Sequence, residues 1–191
     1  LHGLSPNLGG IERYLHTLVH SLEGPDFHFD ITHSDVGRPP ALRDDFRAMG
    51  CTFHPVTPRA VSARRNRREL ESLMSVGRFD VLHFNAMSAS YLAPVRMALH
   101  HSIPVIFHSH SAGGPPSLPS RVLHTVGRAS PAIRQASRIA VSDPAGRWMF
   151  GRGSWEVIEN GFDPAPYEFD QERRRRVRSD LGLGDRLIIG H

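Results

Sequence analysis

The sequence predicts an α/β domain whose parallel sheet is doubly wound, with helices on both faces. Two observations carry this. Short apolar runs of strand length alternate along the chain with segments of helical periodicity. The 191 residues, 39% hydrophobic and 22% charged, suffice for one domain with a substantial core but not for two large ones. Strands separated by crossover helices pair in parallel, and right-handed crossovers then give a doubly wound, Rossmann-like sheet.

Each element is argued from its own residues. GGIERYLHTLVHSLEG spaces Ile11, Tyr14, Leu15, Leu18, Val19 and Leu22 as one face of a helix. FHFDITHS alternates as a strand with Phe27, Phe29 and Ile31 on one side. PPALRDDFRAMG reads as a helix opened by proline and closed by Gly50, and CTFHPV as a short strand. Residues 62 to 77 form a polar helix, FDVLHFN a strand, SASYLAPVRMALHH a helix and IPVIFHSH the next strand. A proline-rich loop, SAGGPPSLPS, precedes a helix from about Arg121 to Gln135. SRIAVS, DPAGRWMFG and WEVIEN continue as strand, helix and strand, and DQERRRRVRSDLG is a last helix. RLIIGH reads as the first strand of a following domain, and LHGLSP as the end of a first strand whose body is missing, so both ends read as cut.

Composition narrows the function classes. No apolar run approaches the ~20 residues that span a bilayer, and the start is unlike a signal peptide. The single cysteine, Cys51, has no intramolecular partner, which makes a reducing cytoplasm the expected compartment. All 23 basic residues are arginine, the net charge is +4, and the pI is near 10.1. Arginine matches two phosphate oxygens with its planar fork, so an anionic partner is permitted, be it nucleotide, phospholipid surface or nucleic acid. RRNRRELE (64–71) and RRRRVR (173–178) read as solvated helix faces; for the first, with Arg64, Arg65, Arg67 and Arg68, peripheral contact with anionic lipid is the other reading. No aromatic residue is interleaved with them, which argues against nucleic acid.

In an open parallel sheet, ligands bind beyond the carboxyl ends of the strands, and four stretches fall there. Gly9 and Gly10 open the first helix, either as a simple turn or as a loop whose amides approach a diphosphate. No GxGxxG or P-loop lysine motif is present, so an NAD(P) or ATP fingerprint is not supported. Asn85 follows its strand directly; capping of the next helix is favoured, and hydrogen bonding to a hydroxyl-rich ligand is the alternative. His108 and His110 lie two apart and face one side, with His108 reading as a core histidine and His110 as a rim imidazole that reaches a substrate oxygen. Zinc needs further ligands at suitable spacing, and none is seen, so no metal is assigned. Ser142 is an N-cap or a ligand contact, and Asn160-Gly161 a turn or a close backbone approach.

Taken in order, LGGIERYLHTLV, FDVLHFNA, IPVIFHSHSAG, RIAVSDPAGRWMFG, VIENGFD and RSDLGLGDRLIIGH resemble the N-terminal half of family 4 retaining glycosyltransferases. The nearest likeness is to bacterial exopolysaccharide or capsule members. The resemblance implies a GT-B enzyme, cytoplasmic and working at the inner face of the membrane. Such an enzyme transfers a sugar with retention from a nucleotide-diphosphate sugar to a glycan or lipid-linked acceptor, without an essential metal or cofactor. It places residues 1–185 in the acceptor-side domain and 186–191 at the start of the donor-binding domain. It puts Gly9 and Gly10 beside the donor phosphates and makes His110 the candidate catalytic residue, orienting the transferred sugar rather than acting as general base. Asn85, Ser142, Asn160 and Gly161 are its other substrate-binding candidates. Glu159 stands where the family usually has proline, and Asn85 where it commonly has histidine. The family's paired glutamates belong to the other domain, so the isolated chain is expected to be inactive. A GT-B nucleotide-sugar 2-epimerase and a non-catalytic nucleotide- or glycan-binding domain are the competing readings.

Overall fold

A computed structural model describes residues 4–34, 37–114, 117–161 and 164–189. The chain divides after Gly161 into two compact units. The first carries helices α1 (Gly10–Ser21), α2 (Arg43–Ala48), α3 (Ala63–Val76), α4 (Ala93–His100), α5 (Leu118–Arg128), α6 (Pro131–Gln135) and α7 (Asp143–Phe150). Its strands are β1 (Asp30–Ser34), β2 (Thr52–Val56), β3 (Leu82–Ala86), β4 (Val105–Ser109), β5 (Ser137–Ala140) and β6 (Glu156–Val157). The second unit holds a short 3-10 turn at Ala165–Tyr167 and helix α8 (Gln171–Asp180), whose side chains are none of them buried.

Every described strand pairing is parallel, as alternation with helices requires. The strands form two ladders, β1-β2 and β3-β4-β5-β6. Leu4 makes an isolated parallel bridge to His33 of β1, which is the described part of the expected first strand. Residues 186–189, the described part of RLIIGH, read from sequence as a strand, have no strand partner among the described residues, and Leu187 and Ile189 are exposed.

Helix boundaries shift where proline and capping chemistry override periodicity. The helix expected over residues 121 to 135 is two helices. Pro131 disfavours helical geometry at Ser130, whose Oγ instead accepts the Ala132 N–H at 3.3 Å to start α6. Likewise α4 begins at Ala93 with proline in its first turn, and Pro39 and Pro40 lie outside α2.

The larger core lies on one face of β3 and β4, under α4, α6 and α7. Phe84 and Phe107 meet edge to face at 5.1 Å, and Phe107 meets Phe150 at 5.8 Å. Val95, Ala98, Ile133 and Met149 belong to it, as do Leu70 and Met74 of α3. A smaller core of Leu4, Val19, Phe46 and Cys51 joins α1 and α2 to β1. Helix α5 crosses very close to the chain at Ala89: a Cβ on Gly127 would lie 2.0 Å from the Ala89 carbonyl oxygen, so only glycine fits.

Candidate active site

The polar face of β3 and β4 is built by alternation. Register pairs His83 with Ile106 and Asn85 with His108, so the residues at alternate positions of both strands lie on the face opposite Phe84 and Phe107. The backbone N–H of His110 donates to the Ala86 carbonyl at 3.0 Å and carries this alternation one residue beyond β4. Four polar side chains, His83, Asn85, His108 and His110, thus share one face near the strand tips.

Their contacts form a layered network. His108 is fully buried, and its Nδ1 lies 3.2 Å from His83 Nε2, with the rings stacked at 5.4 Å. No described group bonds His108 Nε2, so the economical tautomer puts the proton on Nδ1, donating to His83. Burial pushes His108 down to about 3 and His83 down to about 4, the latter also opposed by His110, so both stay neutral near pH 7. The His108 ring lies 3.9 Å from that of His110, and His110 Nε2 donates to Asn85 Oδ1 at 2.8 Å. Asn85 is itself buried. Tyr14 of α1 covers the group, with ring distances of 4.9 Å to His108, 5.0 Å to His110 and 6.0 Å to His83. Burial raises the Tyr14 pKa, which keeps its phenol protonated.

Asn85 therefore does not cap α4, whose N-cap is Leu92. The cap preference of asparagine lost to a cross-strand hydrogen bond with a half-buried imidazole, which spares Asn85 the cost of burying an unpaired amide.

The glycine loop is fixed from within. Glu12, buried in the first turn of α1, accepts the Gly9 N–H at 3.0 Å and the Ser5 N–H at 2.9 Å. A Cβ on Gly9 would meet Glu12 Oε2 at 2.7 Å, whereas Gly10 faces open space. The Gly9 amide is thus already committed to a carboxylate. Ser142 caps α7, its Oγ accepting the Ala145 N–H at 3.3 Å. Asn160 and Gly161 are exposed beyond β6. The structure brings Asn85 and His110 together and sets Gly9 and Gly10 at the start of the helix that carries Tyr14; Ser142 and Asn160 stand separately, beyond β5 and β6.

A pocket of about 490 Å³ opens beside Asn85, at the tips of β1 and β3 and the loop after β4. Its walls include Thr32, Arg59, Asn85, Tyr91 and Gly113. Arg59 lies 4.8 Å over the Tyr91 ring, and the Tyr91 hydroxyl donates to Asn66 Oδ1. Tyr14, His83, Arg59 and Tyr91 were not singled out as site residues from sequence. The repeated polar spacing of His83–Asn85 and His108–His110 on neighbouring strands is the signal that points to His83. Among the described residues, no set of three or more His, Cys, Asp or Glu side chains is arranged to hold a metal ion.

The Glycosyltransferase Family 4 model matches residues 8–166, most of the chain and every one of the strands and helices α1 to α7. The chain belongs to glycosyltransferase family 4. No curated protein and no solved structure matches it. As a family 4 domain it serves an enzyme acting on a sugar donor and an acceptor, and its alternating parallel architecture is that of a Rossmann-like glycosyltransferase domain.

Proposed function

We propose that this chain is the acceptor-side half of a GT-B enzyme that transfers a sugar, with retention, from a nucleotide-diphosphate sugar to a glycan or lipid-linked acceptor in surface polysaccharide synthesis. Residues 1–185 form that half and 186–191 lead into the donor-binding domain. The observation that carries this reading is the Asn85–His110 hydrogen bond at the strand tips, in a chain that belongs to glycosyltransferase family 4.

The chemistry follows from that placement. A retaining transfer must stabilise an oxocarbenium-like sugar and a departing diphosphate together, while water is kept out. His110, held by Asn85 and packed between His108 and Tyr14, has one ring orientation, so its hydrogen bond to the donor sugar costs little ordering on binding. Neutral His108 beneath it adds no positive charge next to a cationic transition state. Gly10, with open space over its Cα, lets the donor diphosphate approach the start of α1. The Asn85 pocket admits the acceptor, with Arg59 and Tyr91 on its far wall. Gly161 and Asn160 line the floor that meets the donor side, and Ser142, whose Oγ accepts the Ala145 N–H, donates a hydrogen bond from its hydroxyl to a substrate oxygen.

The test is the stereochemistry of the product. The enzyme comprising this domain and its donor-binding domain is expected to release nucleoside diphosphate and a glycoside with the donor's anomeric configuration, read by proton NMR coupling. The domain alone is expected to show no transfer. Inversion, or nucleotide release without any glycoside, contradicts the reading.

A further inference from the structure

We infer that the Asn85 pocket takes a saccharide bearing an acidic group, a carboxylate or a phosphate, and that Arg59 selects it. On the reading above this saccharide is the acceptor, so the inference rests on that reading and narrows its acceptor class.

The pocket carries an unanswered positive charge. Its described lining includes Arg59 and no Asp or Glu. Arg59 has no carboxylate within salt-bridge distance among the described residues. Glu69 of α3 reaches the same loop but is engaged two residues earlier. It takes the Thr57 N–H at 2.7 Å, the Thr57 hydroxyl at 3.1 Å and Arg65 Nε at 2.7 Å.

Arg59 is also held ready. Its guanidinium carbon lies 4.8 Å over the Tyr91 ring. The Tyr91 hydroxyl donates to Asn66 Oδ1, and buried Asn66 donates from Nδ2 to the Thr57 carbonyl at 2.7 Å. The ring beneath Arg59 is thus fixed through a buried amide to the backbone of Arg59's own loop. A guanidinium over an aromatic face keeps N–H groups free, and these can pair with two oxygens of a carboxylate or phosphate together.

Asn85 supplies the complementary donor. It is 3% exposed, its Oδ1 is taken by His110 Nε2, and no described residue supplies an acceptor for its Nδ2. A buried amide with an unmet N–H is costly until a ligand oxygen answers it. Ser88 and Ser90 add hydroxyls to the lining. At about 490 Å³ the pocket has the size of a small-molecule site. A neutral sugar would satisfy Asn85 and leave Arg59 unanswered; an acidic sugar answers both.

Titration of the full chain, followed by heteronuclear NMR at constant ionic strength, tests this. Methyl glucuronide or glucosyl phosphate is expected to bind about tenfold more tightly than methyl glucoside, the strength of one charge-assisted pair. The first probe carries a carboxylate and the second a phosphate, so the tighter of the two names the acidic group. Arg59→Gln is expected to reduce the preference to about twofold or less, with methyl glucoside binding unchanged. Arg59 is exposed, so the variant should fold, and circular dichroism checks that it does. Arg152→Gln removes the same charge at an exposed position outside the pocket, and is expected to keep the preference. Equal binding of charged and neutral probes, or binding of none, overturns the proposal. So does equal loss in both variants, which identifies a general attraction to a positively charged chain, or binding that leaves the Asn85 side-chain amide resonances unmoved. No donor is present, so the result is independent of transfer. A preference that depends on Arg59, in an enzyme failing the stereochemical test, faults the transfer reading and leaves the saccharide site. No preference in an enzyme that passes that test faults this inference alone.

Discussion

The two faces of the β3–β4 pair are built from the same strands and do opposite work. One presents Phe84 and Phe107 to α4, α6 and α7, and its contacts are apolar and closely packed. The other presents His83, Asn85, His108 and His110 under Tyr14, and its contacts are hydrogen bonds and stacked rings. Burial is as complete beneath the second as within the first, since His108 and Phe107 are both fully enclosed. What differs is that burial on the polar face depends on protonation and on pairing. The first face holds the strands in place; the second uses that fixed frame to orient an imidazole at the rim.

The largest effect that separates the faces is on stability. Phe107→Ala removes a fully buried ring and leaves a cavity, so unfolding in urea is expected to show a loss of about 3–5 kcal/mol. A loss below about 1 kcal/mol would mean the apolar face is not the structural one.

The next effect is confined to the polar face and to pH. In the unfolded chain, His83 and His108 take up protons near the ordinary histidine pKa of about 6.5; in the folded chain they do so only at about 4 and about 3. Between these values the unfolded state binds more protons, so stability is complete above about pH 6.5 and falls as the pH falls. Each histidine is expected to cost about 2 kcal/mol by pH 5. His108→Gln is expected to flatten this dependence, and an unchanged slope would contradict the buried neutral pair.

Gly127→Ala perturbs neither face directly. It drives a methyl group into the Ala89 carbonyl and displaces α5, and with it the bond from the Ala89 N–H to His124 Nδ1 at 2.9 Å. A loss of about 1–3 kcal/mol is expected in thermal unfolding. The smallest effect is the most specific. Asn85→Ala removes the hydrogen bond to His110 Nε2, and is expected to lower kcat/KM about tenfold and to shift the His110 imidazole nitrogen resonances toward mixed tautomers.

Much of the fold was legible because periodicity reports burial directly. The order of strands and helices, the α1 face and the parallel pairing all follow from it. What was not legible came from contacts between residues far apart in the chain. Asn85 read as a cap because local preference is all that a sequence shows; its partner, His110, is brought to it by strand register. Gly9 read either as a turn or as a loop beside an anion, and its amide serves the buried carboxylate of Glu12 three residues on, a spacing visible in the sequence and left unused. Tyr14 fitted the apolar stripe of α1 and gave no sign that histidines lay beneath it. Arg65 looked like its neighbours until Glu69 was seen to claim it.

The central claim is that the tip of β4 places a fixed imidazole where sugar is transferred. Steady-state transfer by the two-domain enzyme carrying His110→Ala tests it most directly. The account predicts a fall in kcat on the order of 100-fold with the donor KM little changed, and a thermal midpoint within a few degrees of the wild type. Undiminished kcat in a folded His110→Ala enzyme would contradict it.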